Sequence, residues 1–191
     1  MKFIRDYLNT QITSPADPVI LANITKESDI TNGKIHLSLI QVEEERIGRE
    51  VIHRRRLNPT DDFYTVINPE IHLNLYILFT YQYTGKNYEE ALKQLSQVIT
   101  TLQGKNVFTE VDFAKDASTK DAYKPLQQIV VELYTQSLDQ NSNLWQALGE
   151  KLSPSLLYKV RVIGIQANRV LSTTAEIKTI GVDVEHKPFE S

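Results

Sequence analysis

The chain has 191 residues, 41% of them hydrophobic and 24% charged, a size and balance that suit one soluble globular domain. Its formal net charge of -3 gives the whole molecule no strong attraction to nucleic acid or to an anionic membrane. Cysteine is absent, which excludes disulfides, thiolate metal sites and cysteine nucleophiles.

Phe3, Ile4, Tyr7, Leu8 and Ile12 recur at helical spacing and predict a short amphipathic helix over residues 2–12. Arg5 and Asp6 break the unbroken apolar core that a signal peptide needs, and no apolar run approaches the ~20 residues that cross a bilayer, so synthesis and folding in the cytoplasm are expected. Ser14-Pro15 and Asp17-Pro18 force extended or turning backbone, and Val19 to Ile24 reads as a buried strand. Asn32-Gly33 is a turn signal of the kind favoured in hairpins. A strand over Lys34 to Val42 follows, with Ile35, Leu37 and Leu39 on one face and His36 and Ser38 on the other. The pattern then breaks into VEEERIGREVIHRRRLNPTDDF, an exposed charged loop or hairpin extension able to order against a partner.

Ile71 to Tyr83 alternates almost without error. Ile71, Leu73, Leu75, Ile77, Phe79 and Tyr81 share one face; His72, Asn74, Tyr76, Leu78 and Thr80 share the other. Large apolar side chains on both faces predict a central strand covered on both sides. Asn87 is placed as an N-cap with Glu90 three residues on, Leu92, Leu95, Val98, Ile99 and Leu102 as the core stripe of the helix, and Gly104 as its C-cap. A second short strand closes this segment before Thr109, and residues 110–124 read as a polar loop. Leu126 to Tyr134 reads as a strand with Ile129, Val131 and Leu133 inward, Leu138 to Leu152 as a helix around Trp145 stopped by Ser153-Pro154, and Leu156 to Ile165 as the last core strand. The tail alternates again at Ile177, Ile180, Val182 and Val184, as an edge strand or an arm. The expected fold class is α+β: a mixed, largely antiparallel sheet with two or three helices packed on it, in a single domain over 1–191 with an extended C-terminal arm over 173–191.

Catalytic motifs are missing. His36, His53, His72 and His186 form no HxH, HExxH or HxxxH pair, and there is no GxxxxGK[ST], GxGxxG or GxSxG. No metal and no cofactor is expected. Glu43-Glu44-Glu45 and Asp61-Asp62 sit beside Arg46, Arg49 and Arg54-Arg55-Arg56, which reads first as a self-neutralising charged segment. The arginine cluster leaves two readings open, a solvated loop and a protein–protein ion-pair surface. Nucleic acid is disfavoured, because glutamates precede the arginines and no aromatic ladder accompanies them. The many tyrosines, among them Tyr76, Tyr81, Tyr134 and Tyr158, suit sheet packing first and an interface second.

Three segments in order carry a family resemblance. NLYILFTYQYTGKNYEEALKQLSQVITTLQGKNVFT (residues 74–109) resembles a strand–helix–strand signature of the cap, or tail-terminator, proteins of contractile injection systems such as antifeeding-prophage-type particles. Leu144-Trp145-Gln146-Ala147-Leu148-Gly149 and Pro154-Ser155-Leu156-Leu157-Tyr158-Lys159-Val160-Arg161 resemble that family's later helix and strand. The likeness runs over residues 1–166 and fits least over 42–66 and beyond 170, so no family contact residue is carried onto those stretches. It implies a tail-terminator-like fold and a homohexameric ring, not an enzyme, that closes the end of an inner tube, contacts the last sheath layer and stops polymerisation. Some members have a second, C-terminal domain, and the chain is read without it. The implied partners are further copies of itself, the tube protein and the sheath protein, with no nucleic acid and no membrane insertion; the implied location is the assembled particle. As interface residues the sequence nominates Arg54, Arg55 and Arg56 and the tail positions Ile177, Ile180, Val182 and Val184. The alternatives are a nucleic-acid-binding module using Arg54 to Arg56 and a small-ligand enzyme whose site is assembled from residues distant in sequence.

Overall fold

An eleven-residue strand over Ile71–Tyr81 organises the molecule, because its sequence leaves neither face able to meet water along its middle. In the computed structural model, described at residues 1–13, 15–26, 29–45, 53–55, 63–67, 70–82, 88–114, 127–165 and 170–175, this strand is β5. In chain order the elements are α1 (Lys2–Gln11), β1 (Val19–Leu21), β2 (Ile35–Glu45), β3 (His53–Arg55), β4 (Phe63–Ile67), β5 (Ile71–Tyr81), α2 (Tyr88–Gly104), β6 (Val107–Thr109), α3 (Glu110–Ala114), β7 (Gln128–Leu133), α4 (Leu138–Leu148), β8 (Ser155–Ile165) and β9 (Val170–Ala175).

The chain gathers into two units, Met1–Gly48 with Glu70–Gln166, and Arg49–Pro69 with Ala167–Ser191. The larger holds a six-stranded sheet in the order β1-β2-β5-β8-β7-β6. β1 runs parallel to β2 and all other pairs are antiparallel. The smaller holds an antiparallel sheet in the order β3-β4-β9. The expected class, α+β with a mixed and largely antiparallel sheet, is what the structure has, with four helices among the described residues rather than two or three.

On one face of the larger sheet, Leu37, Ile77, Phe79, Tyr158 and Val160 pack against Ile4 and Leu8 of α1 and Ala91, Leu95, Val98 and Leu102 of α2. Phe3 meets Phe108 and Phe113 edge-on, with ring centroids 5.3 and 4.9 Å apart, which fastens α1 to β6 and α3. On the other face Leu78 and Leu157 pack against Trp145 of α4 and Ile24. Each large apolar side chain buried this way contributes about 1.5–3 kcal/mol. α4 begins with a capping box, in which Ser137 and Gln140 satisfy each other's backbone N–H groups, and ends at Gly149 in the left-handed region (φ 71°).

The structure corrects several local expectations. The strand from Val19 ends at Leu21, and Asn32-Gly33 joins two parallel strands, so no hairpin forms there. Gly33 does turn with φ 77°. In α2 the buried stripe is Ala91, Gln94, Leu95, Val98 and Leu102, while Leu92 and Ile99 are exposed. The helix meets the sheet through a face centred one position away, and buried Gln94 donates from Nε2 to Glu90 Oε1 one turn back at 2.6 Å. Gly104 stays within the helix without positive φ, and Asn87 lies outside the described residues. Residues 110–114 are helical, Leu133 is exposed, and α4 stops at Gly149, short of Ser153-Pro154. The break after Val42 is not all loop: β2 continues to Glu45, and β3 and β4 form a hairpin ladder.

His36 on β2 is fully buried and accepts the Thr31 N–H at Nε2 (2.9 Å), opposite buried Thr80 on β5. Burial lowers its pKa below the usual 6.5, and the N–H donated to Nε2 requires that nitrogen to be unprotonated. The unfolded chain therefore binds a proton near 6.5 that the native state refuses. Stability is full above that pH and falls as the pH drops through and below it. Thermal melts between pH 8 and pH 5 should show this fall in the natural chain and a shallower one in His36→Gln; equal slopes would remove His36 from the account. In denaturant titrations followed by circular dichroism, Leu95→Ala should cost about 2–5 kcal/mol, whereas Leu92→Ala should stay within about 0.5 kcal/mol. The reverse ranking would restore the stripe the sequence suggested.

Candidate functional site

The larger sheet offers its neighbours one polar face and three kinds of edge. Only part of the face opposite α1 and α2 is covered by α4. Beyond Leu78 the same face turns polar: Gln41, Tyr76, Lys159 and Glu132 stand in one cross-strand row, and Glu43, Asn74 and Arg161 in the next. These groups engage one another. Tyr76 donates to Glu43 Oε2 at 3.0 Å, Gln41 donates to Glu43 Oε1 at 2.8 Å, and Arg161 pairs with Glu132 at 3.1 Å. Burial, then the Glu43 carboxylate, raise the Tyr76 phenol pKa, so it stays a neutral donor. Tyr134 stacks edge-on against Tyr76 at 5.2 Å. An internally neutralised face of this kind suits contact with a polar protein surface more than capture of a small ion.

The short outer strands are closed by side chains. Asn9 of α1 behaves as one residue of an extra strand: its Nδ2 donates to the Val19 carbonyl at 2.9 Å and its Oδ1 accepts the Val19 N–H at 2.8 Å. At the opposite edge Asp112 of α3 accepts the Thr109 N–H at 3.1 Å and pairs with Lys105. β2 differs. β1 pairs with it only at Ile35, His36 and Leu37, and among the described residues no strand pairs with its outer side from Leu39 to Glu45. Leu39 and Val42 on this stretch are 47% and 50% exposed. A bulge at Ile40 shifts the register between them. Where β1 stops, a cleft of about 490 Å³ opens, lined by Leu21, Ala22, Ile24, Leu39 and Ile40 among others.

Of the residues the sequence nominated, Arg54 and Arg55 stand on β3, opposite Val66 and Thr65 of β4, at one edge of the three-stranded sheet. Arg56, Ile177, Ile180, Val182 and Val184 lie outside the described residues. β9, which the sequence reading did not anticipate, covers Val170–Ala175 and pairs with β4. The open edge of β2 was also missed, although a signal for it exists: the alternation that carries Ile35, Leu37 and Leu39 slips by one residue before Val42.

Nothing in the described residues gathers into a reaction centre. They contain no group of three or more His, Asp or Glu able to hold a metal. The 490 Å³ cleft brings Asp29 as its one carboxylate, and a second cleft of about 410 Å³ beside α1 and α2 brings Lys93 as its one charged side chain. Tyr158, pushed up to about 12 by burial, lies against Phe79 in the core, away from any such cleft.

The family described as the Pvc16 N-terminal domain matches residues 1–178. Among solved structures, the chain is similar to the sheath/tube terminator, in its extended state, of the extracellular contractile injection system PVC. That likeness has a TM-score of 0.65 and 16% identity, and covers 100% of this chain and 63% of that one. It is also similar to the anti-feeding prophage cap, a tube terminating cap, with a TM-score of 0.57, 17% identity, and coverage of 96% of this chain and 58% of that one. At such identities the likeness is one of fold, and the chain spans less than two thirds of the length of either structure. None of the curated proteins matches the chain.

Proposed function

The chain belongs to the Pvc16 N-terminal domain family, and from that premise we propose that it caps the tube of a contractile injection particle. One observation carries this reading: the whole length of the chain superposes on a sheath/tube terminator. The role is geometric and needs no catalysis. A tube grows because each layer presents an end surface complementary to the next. A ring of copies matching that end on one side only leaves nothing for a further layer to bind. We assign the ring as a homohexamer, with tube protein beneath it and the last sheath layer around it. The protein is made in the cytoplasm and works within the assembled particle, with no contact to nucleic acid and no insertion into a membrane; no helix among the described residues is long and apolar enough to cross one. Arg54, Arg55 and Arg56 supply ion pairs to neighbours. The tail after β9, with Ile177, Ile180, Val182 and Val184, adds as a strand or clasp to an adjoining copy.

Light scattering on the purified chain, alone and with its tube protein, should give a mass of about six times the 21.9 kDa subunit, on its own or once the tube is present. A monomer indifferent to the tube would overturn the cap reading. A chain cut after Ala175, which spares β9, should melt as the full chain does yet lose ring formation or tube binding. If the shortened chain still assembles and still stops tube growth, the tail has no part in the contact.

A further inference from the structure

We infer that Asn32 is a modification site: its spontaneous deamidation is held back in the native chain by the bond from the Gly33 N–H to the Gln82 carbonyl, and opening of that bond lets the turn into β2 convert irreversibly to an aspartyl or isoaspartyl link.

Of the asparagines in the chain, only Asn32 is followed by glycine. The next residue matters because its backbone nitrogen is the group that attacks an asparagine carboxamide, and a Cβ on that residue crowds the approach. Asn32 and Gly33 are both exposed, so water reaches them. What restrains the pair is the use made of the Gly33 nitrogen. Its N–H is donated to the Gln82 carbonyl at 3.0 Å, just beyond the end of β5. The attacking form of that nitrogen is the deprotonated one, and a proton engaged by a carbonyl is harder to remove. The turn is also pinned on both sides. The Thr31 N–H is donated to His36 Nε2 at 2.9 Å, the Ile35 N–H to the Pro18 carbonyl at 2.7 Å, and Gly33 itself sits at φ 77°. A backbone held at these points must open locally before it can close a new ring.

The reaction needs no reagent but water. The Gly33 nitrogen loses its proton to solvent and bonds to Asn32 Cγ. The side-chain nitrogen leaves from the same carbon as ammonia, taking up a proton, and a five-membered cyclic imide remains. Water then adds to one of the two imide carbonyls and opens the ring. Opening on one side gives an aspartate in the ordinary backbone; opening on the other gives an isoaspartate, whose main chain runs through the former side chain. Nothing is oxidised or reduced. Either product brings a negative charge to the turn, and the isoaspartate also lengthens the main chain by one atom between Thr31 and Gly33. That atom falls between two bonded points, so the isoaspartyl turn fits neither the His36 nor the Gln82 bond as the native one does. Those bonds lie at the start of β2, beside its pairing with β1, so the pairing of Val19 to Leu21 with Ile35 to Leu37 is the part of the sheet that weakens.

Peptide mass spectrometry after incubation at mildly alkaline pH measures the reaction, in the native chain and in the same chain held in concentrated denaturant. In denaturant Asn32 should be the first asparagine to gain the mass of an amide-to-acid exchange. In the native chain the same change should be slower by roughly ten-fold or more, the factor that one hydrogen bond of ordinary net strength supplies. Equal rates in the two states would overturn the protection by Gln82, and an unreacted Asn32 in denaturant would overturn the site. Gly33→Val, compared in denaturant where its folding does not matter, should slow the reaction sharply; an unchanged rate would remove the Gly33 nitrogen from the account. The isoaspartyl fraction, separated from aged native chain, should melt below both the natural chain and Asn32→Asp, which carries the charge without the extra atom. Equal melting would overturn the weakening of the β1–β2 pairing. None of these outcomes bears on the cap reading, which stands or falls on the mass of the assembly.

Discussion

The larger unit depends on the double burial of β5. A strand wet on one face needs only one covering layer. This one carries Leu75, Ile77 and Phe79 on one side and Tyr76 and Leu78 on the other, so it draws helices to both sides and long strands to both edges. β2 and β8 supply those edges along almost its whole length, and their own outward sides then set where the sheet can continue. The two helical layers are unequal in consequence. α1 and α2 cover one face broadly, whereas α4, a single three-turn helix fixed by a capping box and a left-handed glycine, covers the other only around Trp145. The remainder of that face must be polar to be stable in water, and it is.

This division places the chemistry. Groups that could have formed a reaction centre are instead spent on one another: Glu43 accepts from Tyr76 and Gln41, Glu132 pairs with Arg161, and His36 is sealed in the sheet. The polar rows of the sheet are thus a surface whose charges engage one another, and among the described residues no strand pairs with the outer side of β2 beyond Leu37. The likeness to two terminator structures is one of fold, and it extends over 100% and 96% of this chain.

The sequence made the strong periodicities legible. β5 was readable because its alternation is nearly perfect on both faces, and α1, β7 and β8 because buried apolar residues recur at fixed spacing. The errors arise where a local signal was outvoted. Leu92 and Ile99 are apolar and correctly spaced, yet α2 is turned so that Ala91 and Gln94 face the sheet; a small residue allows closer approach and a local partner makes the buried amide tolerable. Asn32-Gly33 turned as expected, but turn chemistry does not reveal which strand the chain will pair with next. The apparent end of β2 was a phase slip caused by one extra residue at the bulge, so a continuous strand looked like a strand followed by a loop. Where β1 stops beside β2 was the hardest to see, because a strand's end has no residue type of its own; among the described residues it shows only once the pairing of β1 and β2 is known.

The amide of Asn9 has a consequence for the order of events in the life of the chain. It binds the two outward groups of Val19 from ten residues upstream, on a helix whose other face is anchored by Ile4 and Leu8. The guard on that edge is thus made at the ribosome before the strand it guards, and it stays in place only while α1 is docked. Concealment of the edge and attachment of the helix are a single event. A competing strand cannot gain β1 by sliding up to it; it must first peel away the helix, together with the apolar side chains that hold the helix down.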